Sequence, residues 1–203
     1  MNAKCPGEGQ GSFPYFFLQS LFFVLALGLY LLPLPATAQR AERDRLSQFD
    51  RLAEEATLLN QRGQHDKVIT LLEPHKGDQK NDSALFFNEL GIAYRQKGRL
   101  SESIAAYREA LARDPENPVI MNNLGFAFFL NKEYPKAIEQ FQKVLRSNPH
   151  FKEAHSNLGL AYYQLQEYRK ALHELEIVLK LDPQHKGAKK LRDEILKRLK
   201  EQK

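Results

Sequence analysis

Between residues 84 and 185, apolar and polar residues follow two nested periods. Within short stretches the apolar positions return every three or four residues, which is one face of an α-helix. Across stretches the whole pattern returns every 34 residues. Leucine recurs at Leu90, Leu124 and Leu158, and glycine at Gly91, Gly125 and Gly159. An aromatic recurs at Tyr94, Phe128 and Tyr162, and proline at Pro115, Pro149 and Pro183. Columns in phase at one period predict an array of helical repeats.

Each unit reads as two amphipathic helices. The expected bounds are Ala84 to Lys97 with Leu100 to Arg113, then Val119 to Asn131 with Tyr134 to Ser147, then Glu153 to Leu165 with Tyr168 to Leu181. Gly98 separates the first two helices, and each proline falls just past a second helix, where its missing N–H and its ring stop the chain. A mid-helix glycine costs about 1 kcal/mol against alanine. Its recurrence at Gly91, Gly125 and Gly159 therefore predicts close packing that offsets the cost. Ser103, Ala137 and Ala171 open the matching gap on the second helix. Tyr94, Phe128, Tyr162, Tyr107, Phe141 and Leu175 are read as the core that fills these gaps.

The succession Leu-Gly, aromatic, small residue, aromatic, small residue and proline resembles the tetratricopeptide repeat. Phe87, Met121 and His155 stand where that family often has tryptophan, and Val144 and Val178 replace a small residue that Ala110 keeps. The resemblance implies an all-α fold, an α-solenoid of stacked antiparallel helix pairs with a C-terminal capping helix. The expected units are 46–80 as a degenerate first repeat, repeats at 84–117, 118–151 and 152–185, and a basic capping helix at 186–203. In the degenerate unit Leu52, Ala56, Leu58 and Leu59 form a first apolar face, Val68, Ile69, Leu71 and Leu72 a second, and Pro74 ends it early. In the cap, Ala188, Leu191, Ile195, Leu196 and Leu199 form one stripe that covers the last repeat.

Residues 13–34 are almost wholly apolar and are followed by Ala36-Thr37-Ala38, a small-x-small cleavage pattern. The expectation is a signal peptide, 1–38, cut near Ala38 and followed by a polar lead at 39–45. The alternative is an uncleaved anchor formed by 13–34, which is long enough to span a bilayer. Both readings make the array an exported one, periplasmic or extracellular. The single cysteine, Cys5, precedes the apolar run, so the array carries no disulfide.

The net charge of +5 sits entirely from Lys186 onward, where eight lysines and arginines face three acids. A solvated capping face explains it; contact of Lys189, Lys190, Lys197 and Arg198 with an anionic membrane is the sharper alternative. Nucleic acid is not an expected partner, because no recognition motif accompanies the charge. No histidine pair has metal-site helical spacing, and there is no phosphate-binding glycine loop or nucleophile elbow. No catalytic residue, metal or cofactor is assigned. His155 is expected to pack or hydrogen-bond at a repeat boundary.

Stacked helix pairs curve, and the first helix of each pair lines the inner face. If Gly91 and Tyr94 face the second helix, then Asn88, Ile92 and Arg95 turn to the groove. Their counterparts are Asn122, Phe126 and Phe129, then Ser156, Leu160 and Tyr163, with Leu130 extending the middle patch. Asn123 and Asn157 precede Leu-Gly and resemble the asparagine ladder of O-linked N-acetylglucosamine transferases, which implies side chains that hold a peptide backbone. Glu89 takes that place in the earlier unit. Repeats that clamp acidic chaperone tails use several groove cations; here the groove offers Arg95, and Glu153 stands where a cation would be needed. The expected function is a non-enzymatic scaffold that holds a protein or peptide in this groove within an envelope assembly. The alternative is an assembly factor docking through the basic C-terminal helix.

Overall fold

The computed structural model describes residues 36–201 of the chain, and the described residues contain helices and no strand. The apolar segment 13–34 and most of the expected signal peptide lie outside them. Helix α1 is Ala36–Gln61, α2 is His65–Leu72, and a 3-10 turn follows at Glu73–His75. Then come α3 (Ala84–Gln96), α4 (Leu100–Arg113), α5 (Pro118–Leu130), α6 (Tyr134–Ser147), α7 (Lys152–Gln164), α8 (Tyr168–Leu181) and α9 (Lys186–Glu201). Residues 39–45, expected as a polar lead, are helical within α1, and the expected cut near Ala38 falls in its first turn. Packing divides the chain after Glu42, and Arg43–Lys203 form one compact unit.

Within that unit the helices stack in chain order: α3 on α4, α4 on α5, α5 on α6, and so on to α9 on α8. The fold is an all-α solenoid of helix pairs. Its core runs continuously from Phe49 through Phe86, Tyr107, Phe128, Phe141 and Leu175 to Ile195, all of them buried. The small columns lie where the pairs touch most closely. A Cβ added at Gly91 would sit 2.7 Å from the Tyr107 ring, and one at Gly125 would sit 2.6 Å from the Phe141 ring. At Gly159 the nearest atoms belong to Leu175, 3.3 Å away. Ser103, Ala137 and Ala171 are fully buried opposite, and the Ser103 hydroxyl donates to the Gly91 carbonyl at 2.8 Å.

The turn inside each pair shows a column that the sequence reading found only once. Gly98 adopts a left-handed φ of 73°, but Lys132 and Gln166, its counterparts 34 and 68 residues on, do so at 61° and 59°. All three turns close the same way: the next residue's N–H returns to the aromatic column, Arg99 to Tyr94, Glu133 to Phe128 and Glu167 to Tyr162, each at 2.9 Å. The geometry is thus set by the bonding pattern, with or without glycine.

Short α2 ends at Leu72, Pro74 lies in the 3-10 turn that follows, and Glu73 of that turn accepts a hydrogen bond from the Tyr94 hydroxyl at 2.8 Å. At the other end α9 begins 34 residues after α7, in the place of a further first helix. It buries Ala188 and Ile195 and leaves Leu196 exposed. Ser83 caps α3 and Asn117 caps α5 by accepting from backbone N–H groups of the first turn.

Candidate functional site

Helices α3, α5 and α7 present their free sides to one groove. A cavity of about 250 Å³ opens there, lined by Arg95, Asn122, Phe126, Ser156 and Asn157 together with Lys152, Glu153 and His185. Arg95, Asn122, Phe126 and Ser156 are expected from the helical phase, and Asn157 from the resemblance to the asparagine ladder. Glu153 stands in the groove as expected, whereas Lys152 and His185 are additions: Lys152 and Glu153 open α7, and His185 comes from the turn before α9. The signal for Glu153 was available in its column, since Leu85 and Val119 precede it at the 34-residue spacing and both are exposed.

The middle of the groove is aromatic. Phe126 and Phe129 stack with centroids 5.8 Å apart and planes 11° apart, and Tyr134 tilts against Phe129 at 5.6 Å. The Arg95 guanidinium lies 5.2 Å above the Phe126 ring, within cation–π range. Leu130 is exposed beside the pair. Ile92, Phe129 and Tyr163 are half-buried against the core, and Leu160 is half-buried as well.

Tyr163 is drawn toward the cap. Its hydroxyl donates to Glu194, and Arg198 lies 5.6 Å from its ring. This hydrogen bond raises the Tyr163 pKa and holds the Glu194 carboxyl below its ordinary value, with Arg198 acting in the same direction on Glu194. Of the cations proposed for membrane contact, Arg198 is therefore engaged with the groove edge; Lys190 and Lys197 are exposed, and Lys189 is half-buried.

The asparagines of successive repeats bond to one another. Asn123 donates to Asn88 at 3.0 Å, and Asn157 donates to Asn122 at 3.1 Å. Asn88 is buried, with its oxygen taken by Asn123 and its nitrogen donating to Glu89, so it cannot face a partner. The reason is local: a buried amide must be hydrogen-bonded, and the next repeat brings an amide within reach. Asn60 extends the chain by donating to the buried Glu89 carboxylate at 2.8 Å.

His155 sits away from the groove. It is buried, with Nδ1 2.7 Å from Glu174 and Nε2 3.0 Å from the Pro149 carbonyl, and so ties a turn to both helices of its repeat. Among the described residues no three histidine, cysteine, aspartate or glutamate side chains gather as a metal site.

Two family models, both described as Tetratricopeptide repeat, match residues 88–150 and 128–195. No curated protein is matched at a significant level. Among solved structures, the first TPR of Spaghetti (RPAP3) bound to HSP90 peptide SRMEEVD is 30% identical with a TM-score of 0.56, covering 58% of this chain and 93% of that one. Pseudomonas aeruginosa pilF is 22% identical with a TM-score of 0.66, covering 78% and 71%. MamA AMB-1 is 20% identical with a TM-score of 0.62, covering 75% and 82%. The last two likenesses concern the fold.

Proposed function

Because this chain belongs to the tetratricopeptide-repeat family, we propose that it is a scaffold that holds a protein or peptide segment in the groove of α3, α5 and α7. The observation that carries this reading is the Phe126–Phe129 stack, which faces the groove beside exposed Leu130. A half-buried apolar cluster that faces a groove leaves burial to be gained on binding, which supports a partner site. The RPAP3 domain holds an HSP90 peptide, which supports a peptide as the class of partner. The polar set of the cavity differs from a clamp for acidic tails, because Glu153 stands in it. The apolar segment 13–34 supports an exported array working in an envelope assembly, with release near Ala38 as one route and anchorage by 13–34 as the other.

The test is capture of partners from an envelope extract by the full chain. Replacing Phe126 and Phe129 together with alanine is expected to abolish capture, as aromatic anchors dominate interfaces. Helicity by circular dichroism should be retained, because both rings are only partly buried. Undiminished capture by a folded double variant would refute the groove as the binding surface.

A further inference from the structure

The cavity holds four ionisable side chains, and two of them are already committed. Lys152 is paired with Asp182 at 3.2 Å, and the Nδ1 atom of His185 accepts from the Ala188 N–H at 3.0 Å. Arg95 and Glu153 differ. Both line a space of about 250 Å³, yet among the described residues neither side chain takes part in an ion pair or a hydrogen bond, and the two form no ion pair with each other. Arg95 comes from α3, the first helix of the repeat before the one that carries Phe126, and Glu153 from α7, the first helix of the repeat after it. The groove therefore presents a positive and a negative group that carry no ion pair, on the first helices of the repeats that flank Phe126, with the Arg95 guanidinium lying over the Phe126 ring.

Resting on the groove reading, we infer that the partner segment carries an acidic and a basic side chain on the same face, the acid toward Arg95 and the base toward Glu153. In an extended segment, side chains two residues apart share a face and stand about 7 Å apart, so one segment can turn both charges to the same cavity. A partner with two acids on that face meets Glu153, and one with two bases meets Arg95. Like charges brought together in this way disfavour the complex, so the pair selects by exclusion as well as by attraction. Charge complementarity of this kind also fixes which way the segment lies across α3, α5 and α7.

The probes are capped, fluorescent peptides on one leucine–alanine frame, differing only at two positions two residues apart. One carries Asp and Lys, one two Asp, one two Lys, and one Asn and Gln. Binding to the full chain is followed by anisotropy. The Asp/Lys peptide is expected to bind about threefold more tightly than either like-charged peptide, the factor an exposed ion pair provides. Arg95→Glu should move the preference to the two-Lys peptide, and Glu153→Lys to the two-Asp peptide. Where a reversal variant fails to fold, Arg95→Gln and Glu153→Gln should each level the Asp/Lys peptide with one like-charged peptide. The order should fade at high salt. An order of affinities that no variant moves, while Phe126→Ala still loses every peptide, overturns this inference and leaves the groove reading standing. Failure of all four peptides to bind the full chain overturns both.

Discussion

The pair α3–α4 and the pair α7–α8 share every position of the repeat, yet different chemistry holds each together. In the first, Gly91 lies against an aromatic ring, Tyr107; in the third, Gly159 lies against Leu175. In the first, Arg113 stacks 4.0 Å above Phe87; in the third, the same column holds His155, bonded to Glu174. The ion pair after the turn is even reversed. Arg99 faces Glu102 in the first repeat, whereas Glu167 faces Lys170 in the third. In both, a cation from that pair covers the aromatic column, Arg99 over Tyr94 and Lys170 over Tyr162. The reversal follows from the neighbour. Glu73 of the preceding unit reaches both the Tyr94 hydroxyl and Arg99, so a cation is needed at the first position of that turn. The period therefore dictates shape, and each interface chooses its own charges.

The glycine column breaks this comparison most forcefully. Alanine at Gly91 or Gly125 places a methyl group 2.6 to 2.7 Å from a ring buried on all sides. Overpacking of this kind costs about 1–3 kcal/mol, well beyond the helix propensity that alanine gains. Each variant should lose about 2 kcal/mol in urea unfolding. Gly159→Ala meets a leucine methyl that can shift by the few tenths of an ångström required, so propensity and crowding should nearly cancel. Tyr107→Leu should restore most of the loss in Gly91→Ala. Equal losses at all three glycines would show that the facing residue does not set the cost.

The turn column sharpens the same contrast at a smaller scale. Lys132 and Gln166 hold a left-handed backbone that costs a side-chain-bearing residue about 1 kcal/mol, whereas Gly98 holds it freely. Lys132→Gly and Gln166→Gly should each raise stability by somewhat under 1 kcal/mol, because glycine also loses more entropy on folding. Gly98→Lys should lower stability by about 1 kcal/mol. Thermal unfolding of the three variants checks the signs.

The fold was legible in the sequence because its signal is repeated: Leu90, Gly91 and Tyr94 would be weak alone, but their copies at 34-residue intervals are not. The same strength hid the turn column, since Lys132 and Gln166 carry no residue-type signal for a left-handed φ. The groove was legible in part, for Phe126 and Arg95 follow from helical phase. The bond of Asn123 to Asn88 did not follow, because phase gives direction within one helix and says nothing of the amide that the next helix supplies. Lys152 and His185 joined the cavity for a related reason. They stand at the start of a helix and in a turn, where reach depends on how successive repeats are set against one another.

Alkaline pH acts on the first repeat through two tyrosines of raised pKa, Tyr94 and Tyr107, and on the third through Tyr163. Tyr107 is buried, and its hydroxyl has no hydrogen-bond partner, so burial drives its pKa upward; Leu175 fills that place in the third repeat. Burial and the bond to Glu73 likewise raise Tyr94 above the ordinary 10.0. A raised folded pKa means that the folded chain holds these protons more tightly than the unfolded chain. The resulting stability is complete below the unfolded value and is lost as pH climbs from there through the folded value. The thermal midpoint should therefore hold to about pH 9 and fall as pH climbs past about 10. It should fall less in Tyr94→Phe combined with Tyr107→Phe, which leaves nothing to ionise at either place. At neutral pH, Tyr107→Phe alone should be neutral or slightly stabilising, since it removes a buried hydroxyl that makes no bond. A double variant as steeply pH-dependent as the parent would show that the alkaline loss arises outside the first repeat.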